Sequence, residues 1–324
     1  MNFVTGIVLP QVNYKDAQPL EIVEEQLKSV IAQSGDGSLH EIIEDYSLMH
    51  SKRLRARIAL DCSKALNVRP KDISAWGVAL ELINNVARIQ EALVYTQLAK
   101  SNFSSDEVKN QYESQQAASS FMALLPSIVA QVPSNDGIRM RLLAIISSFY
   151  LNYLKSLLDF SVLNQGSVFA EILPKLDAFI QARSALLFEL PAQGVAIVGG
   201  LSIKESMRMS ESFRTLGELQ YMIDEALVIL ENPVKLISEH NVTPYNFLLM
   251  GLRELKGDCA AELTDMVKDE LVRQLHDTGV LRLHVEKIKA IHITLEKSDS
   301  LKPWPKLLEV LRTYANGFFK MVPG

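Results

Sequence analysis

The stretch that decides the fold class is Trp76-Gly-Val-Ala-Leu-Glu-Leu-Ile-Asn-Asn-Val-Ala-Arg-Ile-Gln-Glu-Ala-Leu-Val-Tyr-Thr-Gln-Leu98. Its apolar residues recur every three or four positions, which is the spacing of one face of an α-helix: Val78, Leu82, Val86, Ile89 and Leu93. The opposite face carries a polar stripe at the same spacing: Glu81, Asn84, Arg88, Glu91 and Tyr95. Such a stripe is ordinarily a solvated surface, and the alternative is that it lines a cavity.

The same period recurs along the rest of the chain and predicts nine further helices: Glu41–Leu66, Gln115–Val129, Asp136–Phe160, Phe169–Phe188, Glu205–Leu230, Pro244–Leu255, Cys259–His276, Leu281–Ser298 and Trp304–Phe319. The best strand candidate, Val195–Val198, is too short to build a sheet and fits the continuation of a helix equally well. Neither a fixed repeat nor a low-complexity linker divides the chain. We therefore expect one all-α domain over residues 1–324, with residues 1–20 as a candidate N-terminal arm.

Composition excludes several classes of protein. With 48% hydrophobic and 22% charged residues among 324, the chain is too apolar to be disordered. Its 15 glycines are few for the tight turns of a β-sandwich or barrel, and a net charge of -5 disfavours nucleic acid as a partner. Cys62 and Cys259 match no metal-ligand spacing and indicate a reducing compartment. With neither a signal peptide nor a transmembrane segment in the sequence, we expect a cytoplasmic protein.

Two charged segments are candidate sites. In His50–Arg57, Lys52 and Arg55 stand three apart, so a helix would direct both to one face, where two cations suit a diphosphate. In Leu216–Val228, Asp224 and Glu225 are adjacent within an apolar helix and could hold one hard cation with the help of other oxygens. The alternatives are a solvated basic face and an exposed acidic pair.

The order of these segments resembles the isoprenyl diphosphate synthase (polyprenyl synthetase) family over roughly residues 40–320. Six motifs of the family have similar segments here. G-K-R-L-R-P is similar to Ser51–Ala56, E-L-I-H…D-D-x-x-D to Glu81–Tyr95, and G-Q-x-x-D-L to Lys155–Phe160. K-T-x-x-L-F is similar to Arg183–Phe188, G-x-x-x-Q-x-x-D-D-x-x-D to Gly217–Val228, and T-x-P to Thr243-Pro244. No single motif is intact, so the resemblance bears more directly on the fold than on the activity.

The resemblance implies a bundle of ten or more antiparallel helices around a central cavity, assembled as a homodimer or as a heteromer with an active synthase. It implies a prenyltransferase that condenses isopentenyl diphosphate with an allylic diphosphate held by Mg²⁺. Lys52 and Arg55 match positions that bind diphosphate, Asn84 stands for a histidine that assists them, and Arg183 stands for a lysine. The implied ligand is a prenyl diphosphate or another apolar small molecule.

The departures from the family fall on the metal-binding motifs. The three aspartates of the first motif become Glu91, Ala92 and Tyr95, and Arg88, one turn before Glu91, is expected to neutralise it. The second motif retains only Asp224 and Glu225.

Three carboxylates therefore remain as candidate metal ligands: Glu91, Asp224 and Glu225. This set predicts that ordinary Mg²⁺-dependent chain elongation is impaired. It leaves open the binding of one Mg²⁺ ion at Asp224 and Glu225. The expected function is that of a divergent polyprenyl synthetase homologue in isoprenoid metabolism. The alternatives are a non-catalytic partner subunit, a protein that binds an isoprenoid or other apolar ligand, and a scaffold whose cavity has filled with side chains.

Overall fold

The computed structural model describes residues 18–32, 37–48, 52–99, 105–162, 169–231, 247–256 and 268–322. Every regular element within these ranges is helical, which confirms the predicted all-α class. None of the described helices is long and apolar enough to cross a membrane.

The described residues form thirteen α-helices: α1 (Gln18–Ala32), α2 (Ser38–Leu48), α3 (Leu54–Ala65), α4 (Pro70–Ala99), α5 (Ser105–Val129), α6 (Asp136–Ser161), α7 (Phe169–Ser184), α8 (Leu190–Val198), α9 (Ile203–Glu231), α10 (Phe247–Lys256), α11 (Lys268–Asp277), α12 (Val280–Glu296) and α13 (Pro305–Phe319). A π-helical turn, Ala185–Glu189, joins α7 to α8, and a 3₁₀ turn, Asp299–Leu301, precedes α13. The strand candidate Val195–Val198 is the last turn of α8.

Two long helices organise the core. Helix α4 packs against α1, α3 and α5, and α9 packs against α7, the π-helical turn, α8, α12 and α13. Between Ile73 and Ala87, α4 is buried on all sides, as expected of a helix at the centre of a bundle. Trp76 of α4 is anchored on α8, where its indole Nε1 donates to the carbonyl of Pro191 at 3.3 Å. Gly194 makes this contact possible, because a Cβ there would lie 2.2 Å from the indole ring.

The prediction of one helix over Glu41–Leu66 was wrong, because the chain forms α2 and α3 instead. Arg53, the N-cap of α3, has a left-handed backbone conformation with φ of 51°. Its guanidinium forms a forked ion pair with Glu24 of α1, with an Nε–Oε1 distance of 2.7 Å and an Nη2–Oε2 distance of 3.1 Å. This partly buried contact offsets the cost of a conformation that side chains disfavour, and it ties α1 to the start of α3.

The other predicted helices agree with the described ones in place, with most boundaries displaced by six residues or fewer; α5 begins at Ser105, ten residues before its predicted start at Gln115. The predicted helix starts at Pro244 and Cys259 lie outside the described residues, which resume at Phe247 and Lys268. Helix α1 was not predicted from the sequence.

Candidate functional site

The start of α3 is fixed by a buried carboxylate on α4. Glu81 is completely buried, and its Oε1 accepts a hydrogen bond from the backbone N–H of Ala56 at 2.9 Å. Backbone N–H groups in the first turn of a helix have no partner within the helix, and the helix dipole favours a negative charge there. The contact therefore holds the neighbouring Arg55 at a defined place in the bundle.

Arg55 points into the protein, with 9% of its surface exposed. Its guanidinium carbon lies 5.1 Å from the centre of the Phe188 ring, a cation–π contact, and its buried Nε has no hydrogen-bond partner among the described residues. Burial lowers the pKa of Arg55 to about 10, against the opposing charges of Glu81 and Asp224. An inward-facing guanidinium of this kind is suited to an anionic ligand.

Lys52 lies elsewhere. It precedes α3 and its side chain is exposed, so the expectation that one helical face carries both Lys52 and Arg55 was wrong. The physical reason is the left-handed residue Arg53, which separates the two positions before the helix begins at Leu54. Asn84 of α4 is buried, as a residue facing a site would be. The binding roles of Lys52 and Asn84 remain predictions.

Glu91 is held by two side chains from other helices. Arg183 at the end of α7 donates from Nε to Glu91 Oε1 at 2.8 Å, and the Tyr153 hydroxyl of α6 donates to the same oxygen at 3.2 Å. The sequence predicted Arg88 as the neutralising partner. Burial lowers the pKa of Arg88 and the charge of Glu91 opposes this shift, so the two charges interact. The contact with Arg183 was not foreseen.

Arg183 also reaches the helix that carries the second acidic pair. Its guanidinium carbon lies 5.4 Å from the centre of the Tyr221 ring on α9. The approach of α9 depends on Gly217, where a Cβ would lie 2.8 Å from both the Ser184 side chain and the Phe188 ring. Arg183 thus contacts side chains of both helices that the resemblance assigns to metal binding.

Asp224 and Glu225 occupy a protein environment that disfavours their charged forms. Burial raises the pKa of Asp224 to about 7, although the charges of Arg183 and Arg55 oppose the shift. Burial also raises the pKa of Glu225 to about 7, against hydrogen bonds from the Phe247 backbone and from Tyr221. The Phe247 N–H donates to Glu225 Oε2 at 3.1 Å, so Glu225 accepts a hydrogen bond from a backbone N–H in the first turn of α10, which has no partner within that helix.

These carboxylates do not fit a magnesium cluster. A dication needs several deprotonated oxygens, whereas Glu91 is paired with Arg183, Glu225 accepts the Phe247 N–H, and Asp224 faces two guanidinium charges. Among the residues that the structure describes, no three acidic, histidine or cysteine side chains converge as metal ligands would.

The comparisons with known proteins agree with this architecture. No protein-family sequence model and no curated protein sequence matches the chain. Solved structures do match: geranylgeranyl pyrophosphate synthetase from the archaeon Geoglobus acetivorans has a TM-score of 0.75 and 14% identity, over 93% of this chain and 97% of that one. The chain has the isoprenyl diphosphate synthase fold.

Two further structures give the same result. Geranylgeranyl pyrophosphate synthetase from Pyrococcus horikoshii Ot3 matches with a TM-score of 0.73 and 15% identity, over 93% of this chain and 95% of that one. A decaprenyl diphosphate synthase from Rhodobacter capsulatus matches with a TM-score of 0.73 and 13% identity, over 95% of this chain and 97% of that one. The TM-scores establish the fold, whereas identities this low leave the activity to be argued from the site.

Sequence reasoning missed part of this site. Glu81 stood in the polar stripe of α4 without an assigned role, and no sequence pattern pointed to Tyr153, whose partners are distant in the chain. The side chains of Tyr95 and Val228 and the whole of Thr243-Pro244 lie outside the described residues.

Proposed function

We propose that the protein is a divergent homologue of the isoprenyl diphosphate synthases that binds a diphosphate-bearing isoprenoid and is impaired in Mg²⁺-dependent chain elongation. The observation that carries this proposal is the 2.8 Å ion pair between Arg183 and Glu91. A carboxylate engaged in this way is neutralised by a fixed cation, and an added dication would have to displace that cation.

The cationic side of the site supports anion binding. Arg55, Arg88 and Arg183 lie close enough that the charge of each of the other two helps to lower the pKa of Arg55. Guanidinium groups bind phosphate oxygens through paired N–H donors, and Arg55 Nε has no hydrogen-bond partner among the described residues. A diphosphate supplies several acceptors and enough negative charge to relieve the repulsion among the three cations.

A non-catalytic partner subunit is the second candidate function, and an exposed apolar row on α6 favours it. Met140, Leu151 and Leu158 are separated by three and two helical turns, so they share one face, and each is more than 60% exposed. Exposed rows of large apolar side chains are typical of protein interfaces. We propose that this face meets a second copy of the chain or an active synthase.

The ligand-binding part is tested by thermal unfolding with inorganic diphosphate and with isopentenyl diphosphate. We expect both to raise the melting temperature of the wild type without Mg²⁺, and Arg55→Gln to remove the rise. Arg69→Gln is the matched control, because Arg69 is exposed and paired with Asp72. Arg55→Lys, which keeps the charge, should retain part of the rise. A wild type insensitive to both ligands would contradict diphosphate binding.

The catalytic part is tested with labelled isopentenyl and farnesyl diphosphates in the presence of Mg²⁺. We expect no extended product from the chain alone. Sustained turnover would show that Asp224 and Glu225 hold a working metal ion and would refute the proposed impairment. Turnover that appears only after mixing with an active synthase, above the rate of that synthase alone, would favour the partner-subunit function.

A further inference from the structure

Positive charge is concentrated at the C-terminal end of the chain. Residues 280–324 contain eight Lys and Arg residues against four Asp and Glu residues, a net charge of +4. Because the whole chain carries -5, the other 279 residues carry -9. Charge asymmetry of this size within one chain indicates a surface that meets an anionic partner. In the structure this region is the hairpin of α12 and α13, with the 3₁₀ turn between them.

The basic side chains of this hairpin all face solvent: Arg282, Lys287, Lys289, Lys297, Lys302, Lys306, Arg312 and Lys320. Three of the four acidic residues are paired within the hairpin: Glu286 with Arg282, Glu296 with Arg312 and Asp299 with Lys302.

Five lysines take part in no ion pair among the described residues: Lys287, whose Nζ lies 4.4 Å from the centre of the Phe247 ring, and Lys289, Lys297, Lys306 and Lys320. The positive charge that remains after internal pairing is therefore available at the surface.

Apolar side chains lie among these charges. Leu283 is 58% exposed and Ile293 is 52% exposed on α12. Lys289, Ile293 and Lys297 stand four residues apart, so they form one row along the exposed face of the helix. A face that combines exposed aliphatic residues with flanking lysines is typical of helices that lie in a membrane interface.

The two helices form a well-fixed surface. The His292 ring stacks on Phe319 with a distance of 4.3 Å between ring centres, and its Nε2 lies 2.9 Å from Asn316 Oδ1. Asn316 also donates to Glu296 Oε1 at 2.9 Å, and Arg312 binds the Glu296 backbone carbonyl. These contacts hold α12 against α13, so the exposed lysines of both helices project from one fixed hairpin.

We infer that the α12–α13 hairpin docks on an anionic lipid bilayer, with Leu283 and Ile293 entering the headgroup region and the unpaired lysines meeting lipid phosphates. The apolar residues favour a bilayer over a nucleic acid, because a phosphate backbone offers no apolar layer for Leu283 and Ile293. The inference is independent of the proposed function, since it uses no residue of the candidate site.

The test is co-sedimentation of the full chain with vesicles of phosphatidylcholine alone and with vesicles that contain one third phosphatidylglycerol. We expect binding to the anionic vesicles only, with weaker binding at high salt. Each lysine near such a surface contributes about 1 kcal/mol, or roughly fivefold in affinity, so Lys289→Glu with Lys297→Glu should weaken partitioning at least about 25-fold. Ile293→Ser should weaken it without changing the charge.

The matched control is Lys71→Glu with Lys204→Glu, which makes the same change of charge at exposed positions outside the hairpin. We expect this control to bind anionic vesicles nearly as the wild type does. Four results would overturn the inference: no wild-type binding to anionic vesicles, an equal loss in the control, stronger binding to a DNA duplex than to vesicles, or self-association without lipid that the Lys289 and Lys297 reversals abolish.

Discussion

Arg55, Arg88 and Arg183 lie near acidic residues on two helices, Glu91 at the α4 end of this cluster and Asp224 at the α9 end. The two ends place their acidic residues in different environments. On α4, Glu91 receives a direct N–H from Arg183 at 2.8 Å and a hydroxyl from Tyr153. On α9, burial dominates over the nearby charges of Arg183 and Arg55 and raises the pKa of Asp224 to about 7. The comparison shows that Glu91 has a guanidinium in direct contact, whereas at Asp224 guanidinium charges that act only through their field do not overcome desolvation.

This difference concerns metal binding as well. A metal cluster requires charged carboxylates on both helices at once. Here the carboxylate of α4 is engaged with Arg183, and that of α9 exchanges its proton near neutral pH. Two experiments test how far the two ends differ, and a third tests the contrast between the exposed Lys52 and the buried Arg55.

The largest effect is expected from Arg183→Met. Removing the guanidinium leaves Glu91 buried without its 2.8 Å ion pair and with only the charge of Arg88 to oppose it, and breaking a buried pair from one side costs about 3–5 kcal/mol of unfolding free energy. Urea unfolding followed by circular dichroism measures this loss. The double variant Arg183→Met with Glu91→Gln should recover most of it, because it removes both charges. If the single variant Arg183→Met is as stable as the wild type, the Arg183–Glu91 pair does not stabilise the fold.

A smaller effect is expected from pH. Because the folded-state pKa of Asp224 is raised, the folded chain binds more protons than the unfolded chain between about pH 4 and 7. The unfolding free energy should therefore fall as pH rises through this window, and Asp224→Asn should remove roughly 1–3 kcal/mol of that fall.

The measurement is chemical denaturation of wild type and Asp224→Asn at pH 5, inside this window, and at pH 8, about 1 unit above its upper edge. Asp159→Asn on the exposed face of α6 serves as the control and should leave the slope unchanged. Parallel pH profiles for wild type and Asp224→Asn would contradict the raised pKa at the α9 end.

The smallest effect is expected from Lys52→Ala. An exposed side chain outside any helix should change the unfolding free energy by no more than about 0.5 kcal/mol. The diphosphate-dependent rise in melting temperature should persist in this variant and disappear in Arg55→Gln. If Lys52→Ala removes the rise as completely as Arg55→Gln does, Lys52 turns inward when ligand binds, and the distinction between the two residues is wrong.

The fold class could be predicted from the sequence because apolar periodicity reports which helix faces are buried. The long helices α4, α6 and α9 carry that pattern through many turns, and their positions were predicted closely. The break before α3 could not be predicted, because it depends on a left-handed Arg53 stabilised by Glu24, a residue 29 positions away.

The candidate site was less predictable for a similar reason. Spacing within one helix suggested Arg88 as the partner of Glu91, and those two charges do interact. Spacing could not suggest the 2.8 Å contact from Arg183, 92 residues further along. Local spacing identifies neighbours on the same helix, whereas a buried ion pair depends on how distant helices meet. Asp224 and Glu225 were identified as candidates, but their environment depends on the packing of α9 against α7 and α10.

The π-helical turn Ala185–Glu189 has a consequence for how this chain tolerates change in length. A π turn holds one more residue than an α turn, and each residue of a helix advances the side chains by about 100°. Deleting a single residue there would restore regular winding and leave α8 in nearly the same rotation relative to α7, because the extra residue of the π turn adds almost no net rotation. Gly194 would still face Trp76, so loss of one codon in this turn should harm the fold less than loss of one codon within the regular winding of α7 or α8.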